Sequence, residues 1–568
     1  MLGLLFPLAV IGGIVYAIVN ATRSRDESGR AAPGGAISLR RLFQYVLLLA
    51  ALVVAASGVS GVLGRVISDA AARRGTELAG PLALTVVGVP VFWLLSRWIW
   101  GQLQTDPAEQ ASVGWSFYLN AALIGSLSTA VSTAFAIAGR LIEGDGYEGT
   151  LVAPFVVAVA VWSAHWVVWR RTPPTVLADA QVMIGAAIGL GSMAGGAGFI
   201  IASAIDRAFE QARGVDVSRF FSDGFSMAIV AIGIGAVVWT WHWLRNGLHA
   251  ERTNVWHGYV ILVGILGGLL AAVIGGAIAL FLTLQWLFGD PGTTSAAAHF
   301  EDASPAFAAA IIGLAIWFYH KTVLRFDKAR IRTDIDRIYD YLVSGVALAT
   351  VAGALTTLIV ALFTVFGSSD VVSEGDSDVN IVISAVTLLL VGTPLWAVAW
   401  RHAQRALATD TQHEATSPAR RVYLFAVFGI GGAVAFGALI RLVFVVFEAI
   451  LGERSGGAVL DDIRVPIGLL VTTGAIAAYH WSVYRAERTV EQPRLWRDVT
   501  LVWAGNGDAR EIEQRAHVRL SVMHRLDIAG PVPTADTIVA AIDETEGECL
   551  LVMADTKGVT VIPVVPSS

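Results

Sequence analysis

Four short segments share a residue spacing that could do chemistry. They read Trp162-Ser-Ala-His165-Trp166, Trp239-Thr-Trp-His242-Trp243, Trp317-Phe-Tyr-His320-Lys321 and Ala477-Ala-Tyr-His480-Trp481. Tryptophan and histidine three residues apart share one face of a helix. Imidazole titrates near neutral pH and ligates metals, so histidines held at one depth could move protons or bind a metal. Two related segments lack the histidine. They are Gly88-Val-Pro90-Val-Phe-Trp93 and Gly392-Thr-Pro394-Leu-Trp396-Ala-Val-Ala-Trp400-Arg401-His402-Ala-Gln404-Arg405, where Ser96 and Ala399 take its place. Those gaps weaken a ring of ligands. The plainer reading of the set, with Trp396, Trp400, Arg401 and Trp481 included, is an interfacial aromatic belt with bases reaching the headgroups. Helix–helix packing and lipid headgroup contact would also account for it. No catalytic residue, cofactor site or metal ligand is assigned, and no cofactor is expected.

The elements that carry these segments repeat. Long apolar runs begin near Phe43, Phe117, Met183, Tyr259, Tyr341 and Tyr423, and each is followed by a second run that ends in the aromatic pattern. Aligned on Trp93, Trp162, Trp239, Trp317, Trp396 and Ala477, the second runs are spaced 69, 77, 78, 79 and 81 residues apart. A near-constant period marks duplication. The chain therefore divides into an anchor and linker (1–39), six hairpins (40–110, 111–174, 175–250, 251–330, 331–410 and 411–490) and a tail (491–568). The fold class is an all-α polytopic membrane protein of about 13 transmembrane helices, at roughly 20 apolar residues per crossing. The first of these is an uncleaved anchor, Leu2 to Asn20, because the basic residues follow the apolar run instead of preceding it.

Charge placement sets the orientation. The linker and the connectors between hairpins hold 22 of the 39 basic residues, whereas the hairpin tips hold 10. The tip from Gly367 to Asn380 has four acids and no base. Excess Lys and Arg stay in the cytoplasm, so the N-terminus is expected outside and the tail inside a cell membrane. The interior of the spans has no charge to couple transport. Phe43 to Gly61 and Ile261 to Leu282 are free of acids and bases, although pumps and coupled carriers place such groups near the midplane. Ser126, Ser128, Thr129, Ser132 and Thr133 could line a polar path or bond to their own helix. Glycines four apart (Gly185/Gly189, Gly191/Gly195 and Gly264/Gly268) are expected to pack helix on helix.

The helix starts and ends together resemble a known family. Arg41 to Tyr45 and Arg421 to Tyr423 open hairpins, and Gly-x-Pro-x-Trp…Trp-Arg…Gln-Arg closes the fifth. This pairing resembles bacterial multi-pass membrane proteins with tandem repeats of domain of unknown function 5671. The resemblance covers roughly Ser38 to Arg488 and is best in the fifth hairpin, while the third and fourth lack the Gly-x-Pro step. It implies recurring two-helix elements and no biochemical activity.

Composition excludes several classes. Of 568 residues, 55% are hydrophobic and 15% charged, with mean hydropathy +0.66, against about 25% charged in soluble domains. No basic surface for nucleic acid exists. Cys549 is the only cysteine, which rules out intrachain disulfides; it is expected to be buried and inert. The tail has 7 basic and 12 acidic residues and reads as a small soluble α/β domain. Its elements are a strand at Val499 to Val502, a helix at Asp508 to Leu526 with His517 and His524 on one face, a helix at Thr534 to Asp543, and strands at Cys549 to Met553 and Val559 to Val565. Trp503-Ala-Gly505-Asn-Gly507-Asp508 lacks the lysine of a phosphate loop and reads as a helix cap. The expectation is a non-enzymatic structural or interaction assembly in the bilayer, with a possible protein partner on residues 491–568. The alternative is a channel or carrier for an uncharged or lipidic solute without proton or ion coupling.

Overall fold

The computed structural model describes residues 33–68, 75–146, 148–212, 223–325, 334–367, 378–452, 456–487, 497–503, 509–516, 518–524, 533–545, 549–555 and 558–564. The anchor from Leu2 to Asn20 lies outside them. So do His517, most of the acidic tip after Gly367, and residues 504–508, where the cap was expected. Twelve long helices among the described residues form the six hairpins. They are α1 (Pro33–Ile67) with α2 (Gly75–Thr105), α3 (Val113–Glu143) with α4 (Gly149–Arg171), and α5 (Ala180–Ala212) with α6 (Asp223–Trp239, extended by a π-helical Thr240–Gly247). In the fourth hairpin, α7 starts as Asn254–Gly258, passes through the π-helical Tyr259–Gly267 and continues as Gly268–Phe288; it pairs with α8 (Ser304–Arg325). The last two are α9 (Asp334–Gly367) with α10 (Asp378–Thr409), and α11 (Pro418–Leu451) with α12 (Gly456–Glu487).

Eleven described helices are long and apolar enough to cross a membrane. The twelfth, α12, carries Asp461, Asp462 and Arg464 near its start, which lowers its apolar length. The chain forms two compact units, one from Met1–Arg330 with Val346–Pro394 and one from Ile331–Gly345 with Leu395–Ser568. In the first unit three leading helices pack on their own partners and on the second helix of the next hairpin: α1 on α4, α3 on α6, α5 on α8.

Glycine sets how closely the hairpin arms approach. A Cβ on Gly189 would lie 2.4 Å from Trp239 N, and one on Gly235 2.4 Å from Met193 N. The fourth hairpin repeats this crossing with Gly268 (2.7 Å from Trp317 N) and Gly313 (2.4 Å from Ala272 N). The glycine of the Gly-x-Pro step works the same way, since Gly88 would meet Ala55 N at 2.9 Å and Gly392 the Thr350 side chain at 3.0 Å. By contrast, Gly191 and Gly195 meet nothing within 4 Å. Equal spacing therefore concealed opposite faces. The hydroxyls of the second hairpin turn inward on their own helix: Ser126 donates to Ala122 O (2.6 Å), Thr129 to Gly125 O (2.9 Å) and Thr133 to Thr129 O (2.7 Å).

The C-terminal region corrects one expected helix. Only Ala509–Ala516 is helical (α13), and Val518–His524 is strand β2. Val518, Leu520 and Val522 alternate with Arg519, Ser521 and Met523, a period of two that fits a half-buried strand. His524 therefore ends a strand and shares no helix face. With β1 (Arg497–Trp503), β3 (Cys549–Asp555), β4 (Gly558–Val564) and α14 (Ala535–Glu544), the sheet order is β2-β1-β3-β4, antiparallel only between β3 and β4. Ile512 and Ala516 of α13 and Ile538 and Ile542 of α14 pack on Val499, Leu501, Val518, Leu550 and Val552. Both helices thus cover one face. Cys549 lies on the other and is half-buried, not sealed in the core.

Between α4 and α5, Asp179 has its carboxyl held above the usual carboxylate range, by burial first and the Glu251 carboxylate second. Stability from a raised acid is present below its unfolded pKa and is lost as pH rises through the folded one. Asp179→Asn should therefore be more stable than the parent at about pH 8 and equal to it near pH 3, below both values. Thermal unfolding at the two pH values checks this.

Candidate functional site

Each of the four histidines is fixed by its own helix. Nδ1 of His165, His242, His320 and His480 lies 2.8–2.9 Å from the carbonyl of Val161, Val238, Ile316 and Ile476, four residues earlier. A carbonyl only accepts, so Nδ1 donates and Nε2 of each neutral ring is left as the acceptor. All four rings are buried, with His320 and His480 fully so. They face the interior of their hairpins, whereas a belt would face headgroups and water.

What lies opposite comes in two kinds. Tyr118 donates its hydroxyl to His165 Nε2 (2.8 Å), and Tyr423 to His480 Nε2 (3.1 Å). In the third and fourth hairpins the facing residue is glycine. A Cβ on Gly185 would lie 2.4 Å from the His242 ring, and one on Gly264 2.2 Å from that of His320. There the imidazole sits directly on the facing backbone.

The tryptophans join one hairpin to the next. Trp243 donates Nε1–H to the hydroxyl of Tyr319 (2.8 Å), and Trp400 to that of Tyr479 (2.7 Å). Trp166 packs on Trp241 at 5.7 Å between ring centroids. In all three contacts the later ring precedes a histidine in sequence, and the earlier ring follows the histidine position of the preceding hairpin. The tryptophan one turn earlier completes the cradle: Trp162 on Trp241 (6.0 Å), Trp239 on Tyr319 (5.6 Å) and Trp396 on Tyr479 (6.0 Å). Trp317 carries Lys321 over its ring at 5.1 Å. Trp481 is exposed and touches Tyr484, and Arg401 is exposed at a cleft. The pattern is thus mainly an interlock, with Trp481 and Arg401 exposed outside it.

Tyr319→Phe keeps the ring and loses the acceptor, so it should cost about 1 kcal/mol. Trp243→Phe also removes part of a fully buried indole, so it should cost more, and the double variant should cost about 1 kcal/mol less than the sum of the two. A double-mutant cycle of unfolding measures it.

Sequence reasoning missed a second device. Arg41 of α1 pairs with Asp106 (2.6 Å) and with buried Glu109 (2.6 Å) in the connector to α3. Arg337 of α9 pairs with Asp334 (2.7 Å) and with buried Glu414 (3.0 Å) in the connector to α11. A signal was present. Both connectors run Thr-Asp…Glu…Ser, as Thr105-Asp106-Pro-Ala-Glu109-Gln-Ala-Ser112 and Thr409-Asp410-Thr-Gln-His-Glu414-Ala-Thr-Ser417. In the second copy, buried Arg420 also donates to Tyr341 (2.6 Å) and lies 5.7 Å from the Trp400 ring centroid. Among the described residues no three His, Cys, Asp or Glu side chains gather as a metal site would need.

Fold and interlock together define a polytopic helical membrane protein built from tandem hairpins. The family model described as Domain of unknown function (DUF5671) matches it twice, over residues 41–162 and 337–475. The two matches are consistent with a tandem repeat of that domain. Both matches begin on a clasp arginine, Arg41 or Arg337, and each reaches across two hairpins; the third hairpin and the fourth lie between them. No curated protein and no solved structure matches the chain.

Proposed function

We propose that the chain is a non-enzymatic interaction assembly of a cell membrane, with its N-terminus outside and its α/β domain docking a protein partner in the cytoplasm. The observation that carries this reading is the sheet face that neither helix of the domain covers. Val502, Leu551 and Met553 lie half-buried on it, and Met523, Ile562 and Val564 are exposed at 60%, 38% and 39%. An apolar face of this kind on a small domain suits a docking surface. The hairpins, locked ring to ring, then serve as a frame that holds the domain at the bilayer.

A photo-crosslinking residue at Met523 or Ile562 of the full chain in cells tests this. A discrete adduct is expected, and Val564→Glu should abolish it while leaving expression unchanged. Adducts no stronger than those from exposed Asp543, on the helical side of the domain, would refute docking. The second reading is a channel or carrier for an uncharged or lipidic solute, favoured by the charge-free span interiors. Solute flux in liposomes holding the purified chain would be its mark.

A further inference from the structure

We propose that the end of α10 holds the phosphate of an anionic phospholipid. A cleft of about 460 Å³ opens there, lined by Trp396, Trp400, Arg401, Gln404, Arg405 and Tyr479. Arg401 and Arg405 are one turn apart on a single helix face, both exposed, and neither pairs with a carboxylate among the described residues. Between them Gln404 offers a buried Nε2 with no hydrogen-bond partner among the described residues. The Tyr479 hydroxyl is already occupied in accepting from Trp400. The lining is thus rich in donors, with two positive charges over aromatic walls, and it suits an acceptor-rich anion such as a phosphodiester.

Depth selects the source of that anion. Arg401 is the first charged residue after twenty uncharged ones, Ile381 to Trp400. At 1.5 Å per residue that run spans about 30 Å, one hydrocarbon thickness, which sets the guanidinium among lipid phosphates. Tryptophan rings beside it are at home at the same level.

The full chain, purified in detergent and titrated with phosphatidylglycerol and with phosphatidylcholine, is read by native mass spectrometry. Phosphatidylglycerol should bind about tenfold tighter than phosphatidylcholine. Arg401→Gln/Arg405→Gln should abolish that preference, and Arg401→Lys/Arg405→Lys should keep most of it. An equal preference in the glutamine variant overturns the site. If that variant does not insert, the parent chain decides: no preference in it overturns the proposal, and a preference lost with Arg405→Gln alone supports it. Displacement of the lipid by equimolar inorganic phosphate overturns the assignment to a lipid.

Discussion

Gly313→Val is expected to cost about 3 kcal/mol of stability, near the upper end for overpacking a tight contact. Its Cβ would lie 2.4 Å from the backbone nitrogen of Ala272 and 2.7 Å from the Gly268 carbonyl. Backbone atoms have no rotamer to escape into, so α7 and α8 must separate. Separation would also unseat His320 from Gly264, two turns further along. Gly276→Val makes the same chemical change on α7, where no heavy atom lies within 4 Å, and it should stay within about 0.5 kcal/mol of the parent. Urea unfolding in bicelles compares the two. Equal losses would mean that the close crossing at Gly313 is not what valine disturbs, since valine has a better helix propensity than glycine.

Arg41→Met should have the second large effect, about 3 kcal/mol, because it strands a carboxylate that the fold has taken out of water. The Glu109 side chain is 4% exposed, against 45% for Asp106, so the loss arises mainly at Glu109. Arg41→Met/Glu109→Leu removes both charges and should recover most of it. If the double variant is no better than the single, the arginine matters for its packing instead of its charge. Arg337 and Glu414, at 13% and 2% exposure, should behave alike in the second copy.

The hairpins were legible because a bilayer admits only helices and closed barrels, and a spanning helix writes a long apolar run into the sequence. The Trp and His pattern was equally visible, but its meaning was not. His165 meets Tyr118 forty-seven residues away, and His320 meets Gly264 fifty-six away. No spacing within one helix reveals which residue of the facing arm lies opposite. Glycine shows the same limit. Gly185/Gly189 and Gly191/Gly195 have equal spacing, yet the two pairs point to different sides of α5. Glu109 and Glu414 were hidden because a loop acid is ordinarily solvated, and only the repeated order of their neighbours set them apart. In the tail, Val518–His524 follows a strongly helical segment, and helix propensity was carried too far into a strand.

The packing of α1 on α4, α3 on α6 and α5 on α8 has a consequence for biogenesis. The second, third and fourth hairpins each find part of their binding surface on the one made just before, so their docking can keep pace with the ribosome. Among these four hairpins, assembly in that order leaves the first three leading helices waiting only for the next hairpin. A chain cut after the second hairpin should therefore already hold its Tyr118–His165 bond, and the later copies would extend a structure begun while translation was still under way.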